Sequence, residues 1–276
     1  MTIGIVGIGL MGGSFAKALK KYKLASKILG YDHNKEHQKT ALELNLVDEI
    51  CDLNTLKQCD MIVLCIPVDG IIAFSKELVE ISKNTTIVDF GSTKELILKN
   101  IPTQIRENFV AAHPMTGTEK FGPSAAIDGL YEDKIVVLCD VCDNSSYHLE
   151  KVTNIFKSIG MRIIQMDAKE HDIHACYMSH LPHAVSYALA KTVMSHENPN
   201  AIITLAAGGF RDMSRIAKSS PNMWCDIFRQ NRTNLLDALN IYESKLAMLK
   251  EMLQNEDYDG IHKYMAKANT LHDILK

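Results

Sequence analysis

No apolar run in this 276-residue chain reaches the length of a membrane-spanning helix, and Met61–Val68 is among the longest. Excess basic charge is also missing, since the net charge is -3, which disfavours a nucleic-acid partner. The N-terminus lacks the basic segment and the small-residue cleavage site of a secretory signal. Seven cysteines, an odd number, lie partly in apolar runs, which favours a reducing compartment. We therefore expect a cytoplasmic protein with no membrane and no nucleic-acid partner.

The most specific motif lies at the N-terminus, where an apolar strand, Thr2–Val6, leads into a glycine-rich turn and then a helical pattern, Ser14–Lys21. The turn reads Gly7-Ile8-Gly9-Leu10-Met11-Gly12. This order is typical of dinucleotide binding, because the glycines permit a tight turn, close approach of the pyrophosphate and close helix packing. The helix N-terminus adds unpaired N–H groups for the phosphates.

A second predicted strand ends at Asp32, which lies 20 positions after Gly12. A carboxylate at this spacing can bind the ribose 2′-hydroxyl and repel a 2′-phosphate. We therefore predict NAD rather than NADP as the cofactor, although His33 and Lys35 weaken that preference.

Strand and helix patterns alternate up to about residue 166, and only helical patterns follow. Among these we predict helices from Ala168 to about His196 and from Met223 to Leu253. The predicted strands are Thr2–Val6, Ile28–Tyr31, Met61–Cys65, Thr86–Asp89, Phe109–Ala112, Ile135–Leu138 and Arg162–Met166. Alternation of this kind predicts an α/β fold, a Rossmann-type doubly wound parallel sheet with helices on both faces. We expect a dinucleotide-binding domain over residues 1–167 and an all-α substrate and dimerisation domain over residues 168–276.

Candidate catalytic side chains follow two of the predicted strands. Ser92 lies three positions after Asp89, and His113 directly follows Ala112. Because ligands of doubly wound sheets bind outside the carboxyl ends of the strands, both are expected at the cofactor. A neutral histidine there can accept a proton from a substrate hydroxyl, so activity should fall below about pH 6.5. Helix capping by Ser92 and a structural role for His113 remain the alternatives.

Two further segments carry candidate binding residues. Thr118 and Glu119 lie in the long polar connection after His113, and such long connections are often functional. Gly208 begins a segment whose paired glycines allow a ligand to approach closely. Arg215 ends this segment, and its guanidinium matches a carboxylate, with a surface ion pair as the alternative.

The start of the predicted helical domain is rich in histidine. Its histidines are His171, His174, His180 and His183. On one helix they do not share a face, so we predict no metal site. His180 and His183 lie about 60° apart and can face a cleft together. The final predicted helices carry an apolar stripe, which fits internal packing or a dimer interface equally well. The stripe comprises Leu235, Leu239, Tyr242, Leu246 and Leu249.

Together these segments resemble the prephenate dehydrogenase family, which includes arogenate dehydrogenases. The matching segments are Gly7-Ile8-Gly9-Leu10-Met11-Gly12-Gly13-Ser14, Asp89-Phe90-Gly91-Ser92-Thr93-Lys94, His113-Pro114-Met115-Thr116-Gly117-Thr118-Glu119, His180-Leu181-Pro182-His183, Gly208-Gly209-Phe210-Arg211-Asp212-Met213-Ser214-Arg215 and Met223-Trp224. They follow the family's order up to about residue 230. The His113 and His180 segments are specific in combination, whereas the glycine motif alone is not.

The resemblance implies NAD-dependent oxidative decarboxylation of prephenate to 4-hydroxyphenylpyruvate in tyrosine biosynthesis. Hydride leaves the hydroxyl-bearing ring carbon, and carbon dioxide leaves from the opposite ring position. The resemblance further implies that His113 accepts the hydroxyl hydrogen bond, Ser92 positions that group and Arg215 pairs with a substrate carboxylate. The other substrate-binding residues that it implies are His180, His183, Thr118, Glu119, Gly208 and Trp224.

Several alternatives stay open at this point. Arogenate differs from prephenate by an ammonium in place of a keto group, and the sequence does not separate the two. A related hydroxyacid or imine reductase would use Lys94 as its acid–base group, and an NAD sensor would bind without turnover. The resemblance also implies a homodimer through the helical domain. We expect no chorismate mutase segment and no C-terminal regulatory domain, so tyrosine inhibition is expected in the substrate pocket.

Overall fold

The computed structural model describes residues 1–275, and within them one eight-stranded sheet forms the centre of the fold. The strand order is β3-β2-β1-β4-β5-β6-β7-β8. The strands are β1 (Thr2–Val6), β2 (Lys27–Tyr31), β3 (Glu49–Ile50), β4 (Met61–Leu64), β5 (Thr86–Asp89), β6 (Phe109–Pro114), β7 (Ile135–Cys139) and β8 (Arg162–Met166). All neighbouring strands are parallel except β6 and β7, which are antiparallel. The predicted α/β, Rossmann-type sheet is confirmed.

Both faces of the sheet are buried at its central strands, such as β4 and β5, as continuous apolar strands predict. In β4, Met61 and Val63 belong to one apolar cluster, and Ile62 and Leu64 belong to the other. The helices that accompany the sheet are α1 (Leu10–Lys21), α2 (Lys35–Glu43), α3 (Leu53–Leu56), α4 (Val68–Ser75), α5 (Glu95–Asn100) and α6 (Ser146–Ile159). The two-sided packing leaves the carboxyl ends of the parallel strands free to carry a site.

The described chain after β8 is helical. It contains α7 (Ala168–Ala175), a π-helical segment (Cys176–His180), α8 (Leu181–His196), α9 (Pro199–Leu205), α10 (Gly208–Ser214), α11 (Pro221–Gln230), α12 (Arg232–Gln254), α13 (Tyr258–Asn269) and α14 (Leu271–Ile274). Packing divides the chain into two compact units, one ending at Asn231 and the other starting at Arg232. Among the described helices, none combines the length and apolar character that crossing a bilayer needs.

Several predicted helix boundaries were wrong for local reasons. The first helix begins at Leu10 rather than Ser14, because Gly9 is its N-cap and the next glycines lie inside the helix. The π-helical segment interrupts the expected continuous helix from Ala168 to His196. Pro182 lies two positions after its last residue, His180, and a proline cannot donate the ordinary i to i−4 hydrogen bond.

Two further differences concern the ends of elements. Strand β6 extends to Pro114, so His113 lies within the strand, opposite Val137 of β7. The expected helix Met223–Leu253 is two helices that meet at Asn231. The β6–β7 pairing and the hydrogen bond of Asn231 to Asp172 join distant parts of the chain, so the local spacing of apolar residues does not predict these two boundaries.

Candidate active site

The glycine-rich turn connects β1 to α1 through contacts that only glycine permits. Gly7 has a φ of +85°, and a Cβ there would lie 2.5 Å from the carbonyl oxygen of Cys65. A Cβ on Gly12 would lie 2.1 Å from the carbonyl oxygen of Gly7. The space beside Gly9 is open, and within the described chain no side chain caps α1. This cradle of free N–H groups fits the pyrophosphate of a dinucleotide.

Asp32 lies directly after β2, and its carboxylate connects two parts of this cradle. One carboxylate oxygen accepts a hydrogen bond from the Ile8 N–H at 3.0 Å, and the other accepts one from the Asn34 N–H at 2.9 Å. The Nδ1 atom of His37 lies 3.5 Å from the carboxylate. A fixed carboxylate beside the glycine turn fits a ribose diol and opposes a 2′-phosphate.

His113 connects to two other side chains through hydrogen bonds. Its Nδ1 lies 2.8 Å from Nε2 of His171, and Nδ1 of His171 lies 2.8 Å from Oδ1 of Asp172. Burial lowers the pKa of His113 well below 6.5, and the nearby His171 and Lys94 lower it further. Because His113 then stays neutral into more acidic solution, we expect activity to fall only well below the pH of 6.5 inferred from an ordinary histidine.

Ser92 follows β5, which pairs in parallel with β6, the strand that carries His113. Both residues therefore lie at the same edge of the sheet. Capping of α5 by Ser92 is not observed. Instead, Asp172 accepts hydrogen bonds from the N–H groups of Lys94 and Glu95, at 2.7 and 2.9 Å.

The Lys94 side chain lies in the core behind His113. Its ammonium pairs with Asp89 and donates a hydrogen bond to the carbonyl oxygen of Ala112 at 2.8 Å. Both charged side chains are 0% exposed. The acid–base role that the reductase alternative requires of Lys94 is therefore incompatible with the structure, because the ammonium is fully buried and held by Asp89 and the Ala112 carbonyl oxygen.

Two histidines from the π-helical region contact Trp224. The rings of His183 and Trp224 are stacked, with centroids 3.6 Å apart, and His180 meets the same indole edge-on at 6.0 Å. His183 donates its Nδ1 hydrogen to the carbonyl oxygen of Ser179 at 2.9 Å. Burial lowers the pKa of His183 and lowers that of His180 to about 4, so both rings are neutral at physiological pH.

The remaining candidates lie on two segments, the loop after β6 and the stretch from Gly208 to Arg215. The Arg215 guanidinium lies 3.5 Å from the Glu119 carboxylate and is 59% exposed, which leaves it accessible to another anion. Thr118 accepts a hydrogen bond from the Lys120 N–H at 3.2 Å, in the same loop as Glu119. Gly208 begins α10, and a Cβ there would meet no atom within 4 Å. These residues combine a cation, an anion and an open backbone position.

The sequence of this chain matches two family models, one over each of its parts. The family model described as prephenate dehydrogenase, nucleotide-binding domain, matches residues 15–165. The model for the dimerization domain of prephenate dehydrogenase matches residues 167–267. The chain belongs to the prephenate dehydrogenase family.

Relatives in this family resemble the chain over nearly its whole length. A prephenate dehydrogenase from Bacillus subtilis (strain 168) is 31% identical over 99% of this chain and 76% of its own. A cyclohexadienyl dehydrogenase from Zymomonas mobilis is 32% identical over 99% of this chain and 96% of its own. The crystal structure of prephenate dehydrogenase from A. aeolicus with hydroxyphenyl propionate and NAD+ is 33% identical, with a TM-score of 0.93. That comparison covers 100% of this chain and 98% of the other.

Sequence reasoning about this member of the prephenate dehydrogenase family missed two residues beside His113. The histidine pattern points to His171 only as a possible metal ligand, and no sequence pattern points to Asp172. No group of three or more His, Cys, Asp or Glu side chains within residues 1–275 is arranged to hold a metal ion. His113 and His171 are 58 positions apart, so no local spacing signals their contact. Only the adjacent His171-Asp172 pair was visible in the sequence.

Proposed function

We propose that this chain catalyses the NAD-dependent oxidative decarboxylation of prephenate to 4-hydroxyphenylpyruvate, in tyrosine biosynthesis. The observation that carries the proposal is the position of His113, a neutral histidine at the sheet edge that also carries the dinucleotide cradle. Membership of the prephenate dehydrogenase family supports the same reaction. The enzyme is an NAD-dependent oxidoreductase, and the cradle with Asp32 fits that cofactor.

In this proposal each residue has one task. NAD, when bound, accepts the hydride from the ring carbon that carries the hydroxyl. His113 accepts a hydrogen bond from that hydroxyl, which favours hydride departure, and Ser92 positions the same group. Arg215 pairs with a substrate carboxylate, since its guanidinium is exposed and, within residues 1–275, forms an ion pair with Glu119 alone.

The remaining candidates form the substrate end of the pocket in this proposal. His183 and His180 present neutral rings to Trp224, which together provide an apolar wall for the substrate ring. Thr118 and Glu119 cover the pocket from the loop after β6, and Gly208 lets the substrate approach the backbone. Loss of carbon dioxide opposite the hydroxyl makes the ring aromatic, so the step is effectively irreversible.

Arogenate is the second candidate substrate, and Glu119 is the residue that favours it. A carboxylate beside Arg215 would attract the ammonium that arogenate carries in place of the keto group. Prephenate carries a keto group at that position and offers no ammonium to the Glu119 carboxylate. The two substrates therefore differ in how Glu119 affects the Michaelis constant.

Three accompanying proposals concern assembly, location and inhibition. A homodimer is supported by the match to the dimerization domain and by the exposed Tyr242 and Leu246 of the apolar stripe. A cytoplasmic location is supported by buried cysteines that form no disulfide, among them Cys59 and Cys139. Tyrosine is proposed to inhibit in the substrate pocket, because it shares a ring and a carboxylate with the substrate. Inhibition that does not compete with prephenate would contradict this.

The role of Arg215 gives a direct test of the substrate site. Arg215→Gln removes a charged hydrogen-bond donor worth about 1.5–3 kcal/mol, so the KM for prephenate should rise roughly 10- to 100-fold. The KM for NAD should stay unchanged. Arg162→Gln is the matched control, because Arg162 is exposed at the start of β8. Equal effects of the two substitutions on the KM for prephenate would contradict the assignment.

A further inference from the structure

A line of three side chains leads from His113 into the protein interior. His113 Nδ1 is 2.8 Å from His171 Nε2, and His171 Nδ1 is 2.8 Å from Asp172 Oδ1. His171 and Asp172 are each only 2% exposed, so water does not replace these contacts. This line of hydrogen-bonded side chains ends in a carboxylate, so the donor and the acceptor of each hydrogen bond in it can be assigned.

The assignment follows from what each atom can donate. An ionised carboxylate only accepts, so the hydrogen of the His171 ring lies on Nδ1, facing Asp172. In the neutral ring, Nε2 of His171 then has a lone pair and accepts the hydrogen on Nδ1 of His113. His113 is therefore left with a lone pair on Nε2, the nitrogen that faces away from His171.

We propose that His171 and Asp172 are positioning residues that hold His113 in its Nδ1–H tautomer, so that His113 Nε2 accepts the hydroxyl hydrogen bond of the substrate. The identity of that hydroxyl rests on the proposed function, whereas the tautomer is a property of the protein alone. In the opposite tautomer, Nε2 would carry a hydrogen and could not accept from the hydroxyl. The proton that His113 Nε2 takes from the substrate hydroxyl during hydride transfer returns to the phenol oxygen of the product. The three side chains therefore end the reaction with the protons they had at its start.

The surroundings of Asp172 fix its orientation. Its Oδ1 accepts from the Lys94 N–H at 2.7 Å, its Oδ2 accepts from the Glu95 N–H at 2.9 Å, and its backbone oxygen accepts from Asn231 Nδ2 at 2.7 Å. The carboxylate thus has two backbone donors besides His171. Because it also caps α5, substitutions at Asp172 would disturb more than the line, and His171 is the better residue for a test.

Two substitutions at His171 separate the contact with Asp172 from the contact with His113. The amide of His171→Asn lies near the position of Nδ1, so it keeps a donor for Asp172 and loses the contact with His113. The longer amide of His171→Gln reaches the position of Nε2 and can still accept from His113. We expect His171→Asn to lower kcat about 100-fold, with the KM for NAD and for substrate changed less than about threefold. The kcat of His171→Gln should be at least about tenfold higher than that of His171→Asn.

The tautomer itself is measured by nitrogen NMR of the histidine rings, with the His113 signals assigned by their loss in His113→Gln. We expect the wild-type protein to carry the His113 hydrogen on Nδ1, and His171→Asn to move it at least partly to Nε2. A wild-type spectrum with the hydrogen on Nε2 would overturn the proposal, and this readout needs no folded variant at position 171. Full kcat in a folded His171→Asn protein, or equal kcat in the Asn and Gln variants, would overturn it too.

These outcomes are distinct from failure of the proposed function. A wild-type protein that oxidises neither prephenate nor arogenate would refute the function, while the ring spectrum would still report the tautomer. A protein that oxidises prephenate but has the wrong tautomer would refute only the positioning role.

Discussion

Replacing Gly12 by alanine tests whether the glycine turn forms a cofactor cradle. The new Cβ would lie 2.1 Å from the carbonyl oxygen of Gly7, where ordinary contact begins at 3.4 Å. Gly7 cannot yield easily, because its φ is +85° and its N–H is bonded to the carbonyl oxygen of Tyr31 at 2.8 Å. Helix α1 must therefore move away from β1. Such overpacking costs about 1–3 kcal/mol of stability.

The same movement takes the N-terminal N–H groups of α1 away from the pyrophosphate. A hydrogen bond to a charged group contributes about 1.5–3 kcal/mol, so loss of one should raise the Kd for NAD roughly 10- to 100-fold. Gly9→Ala is the matched control, because Gly9 has ordinary extended backbone angles and its nearest neighbour would be 3.9 Å away. It should leave the stability of the free protein within about 0.5 kcal/mol while still weakening NAD binding.

The two variants are compared by calorimetric titration with NAD and by thermal unfolding without ligand. We expect weak NAD binding in both and a lowered melting temperature only in Gly12→Ala. Wild-type affinity in Gly12→Ala would refute the reasoning, because the turn would then tolerate a displaced helix. A destabilised Gly9→Ala protein would show that the space beside Gly9 is not open.

Three further predictions use the remaining groups of the site. Burial lowers the pKa of His113 and keeps the ring neutral, so kcat/KM should stay constant as the pH falls through 6.5 and decline only in more acidic solution. A decline of kcat/KM centred at pH 6.5 would contradict this. Asp32→Ser should improve the ratio of kcat/KM for NADP to that for NAD by roughly tenfold, since the carboxylate that opposes a 2′-phosphate is gone; an unchanged ratio in parallel assays would exclude that role. His180 has a folded pKa of about 4, whereas the unfolded chain takes up this proton near pH 6.5, so stability should fall as the pH drops between these values. Urea unfolding at a series of pH values measures this, and His180→Gln should flatten the decline.

The sequence predicted those parts of the fold that depend on local patterns. Seven of the eight described strands were visible as apolar runs, and only the two-residue β3 (Glu49–Ile50) was missed. The glycine turn was visible because backbone geometry restricts it to glycine. The order of glycine turn, Asp32 and His113 along the chain also sufficed to place them at one edge of the sheet.

Features that depend on distant contacts were not predicted. The cap of α5 comes from Asp172, which is 78 positions from Lys94, and the obvious local candidate, Ser92, does not supply it. The contact of His113 with His171 also joins distant parts of the chain. The π-helical segment was missed because a single π-helical turn before Pro182 changes the spacing of apolar residues too little to be seen in the sequence.

The most direct test of the proposed function is the rate of NADH or NADPH formation by the purified protein with four mixtures of substrate and cofactor. Prephenate and arogenate are each offered with NAD and with NADP, and the His113→Asn variant is assayed in parallel. We predict the fastest turnover for prephenate with NAD, with 4-hydroxyphenylpyruvate formed in equal amount to NADH, and a loss of roughly 100-fold or more in the variant. Turnover of arogenate alone would reassign the substrate and keep the mechanism. No turnover in any mixture, by a protein that still binds NAD, would contradict the proposed function.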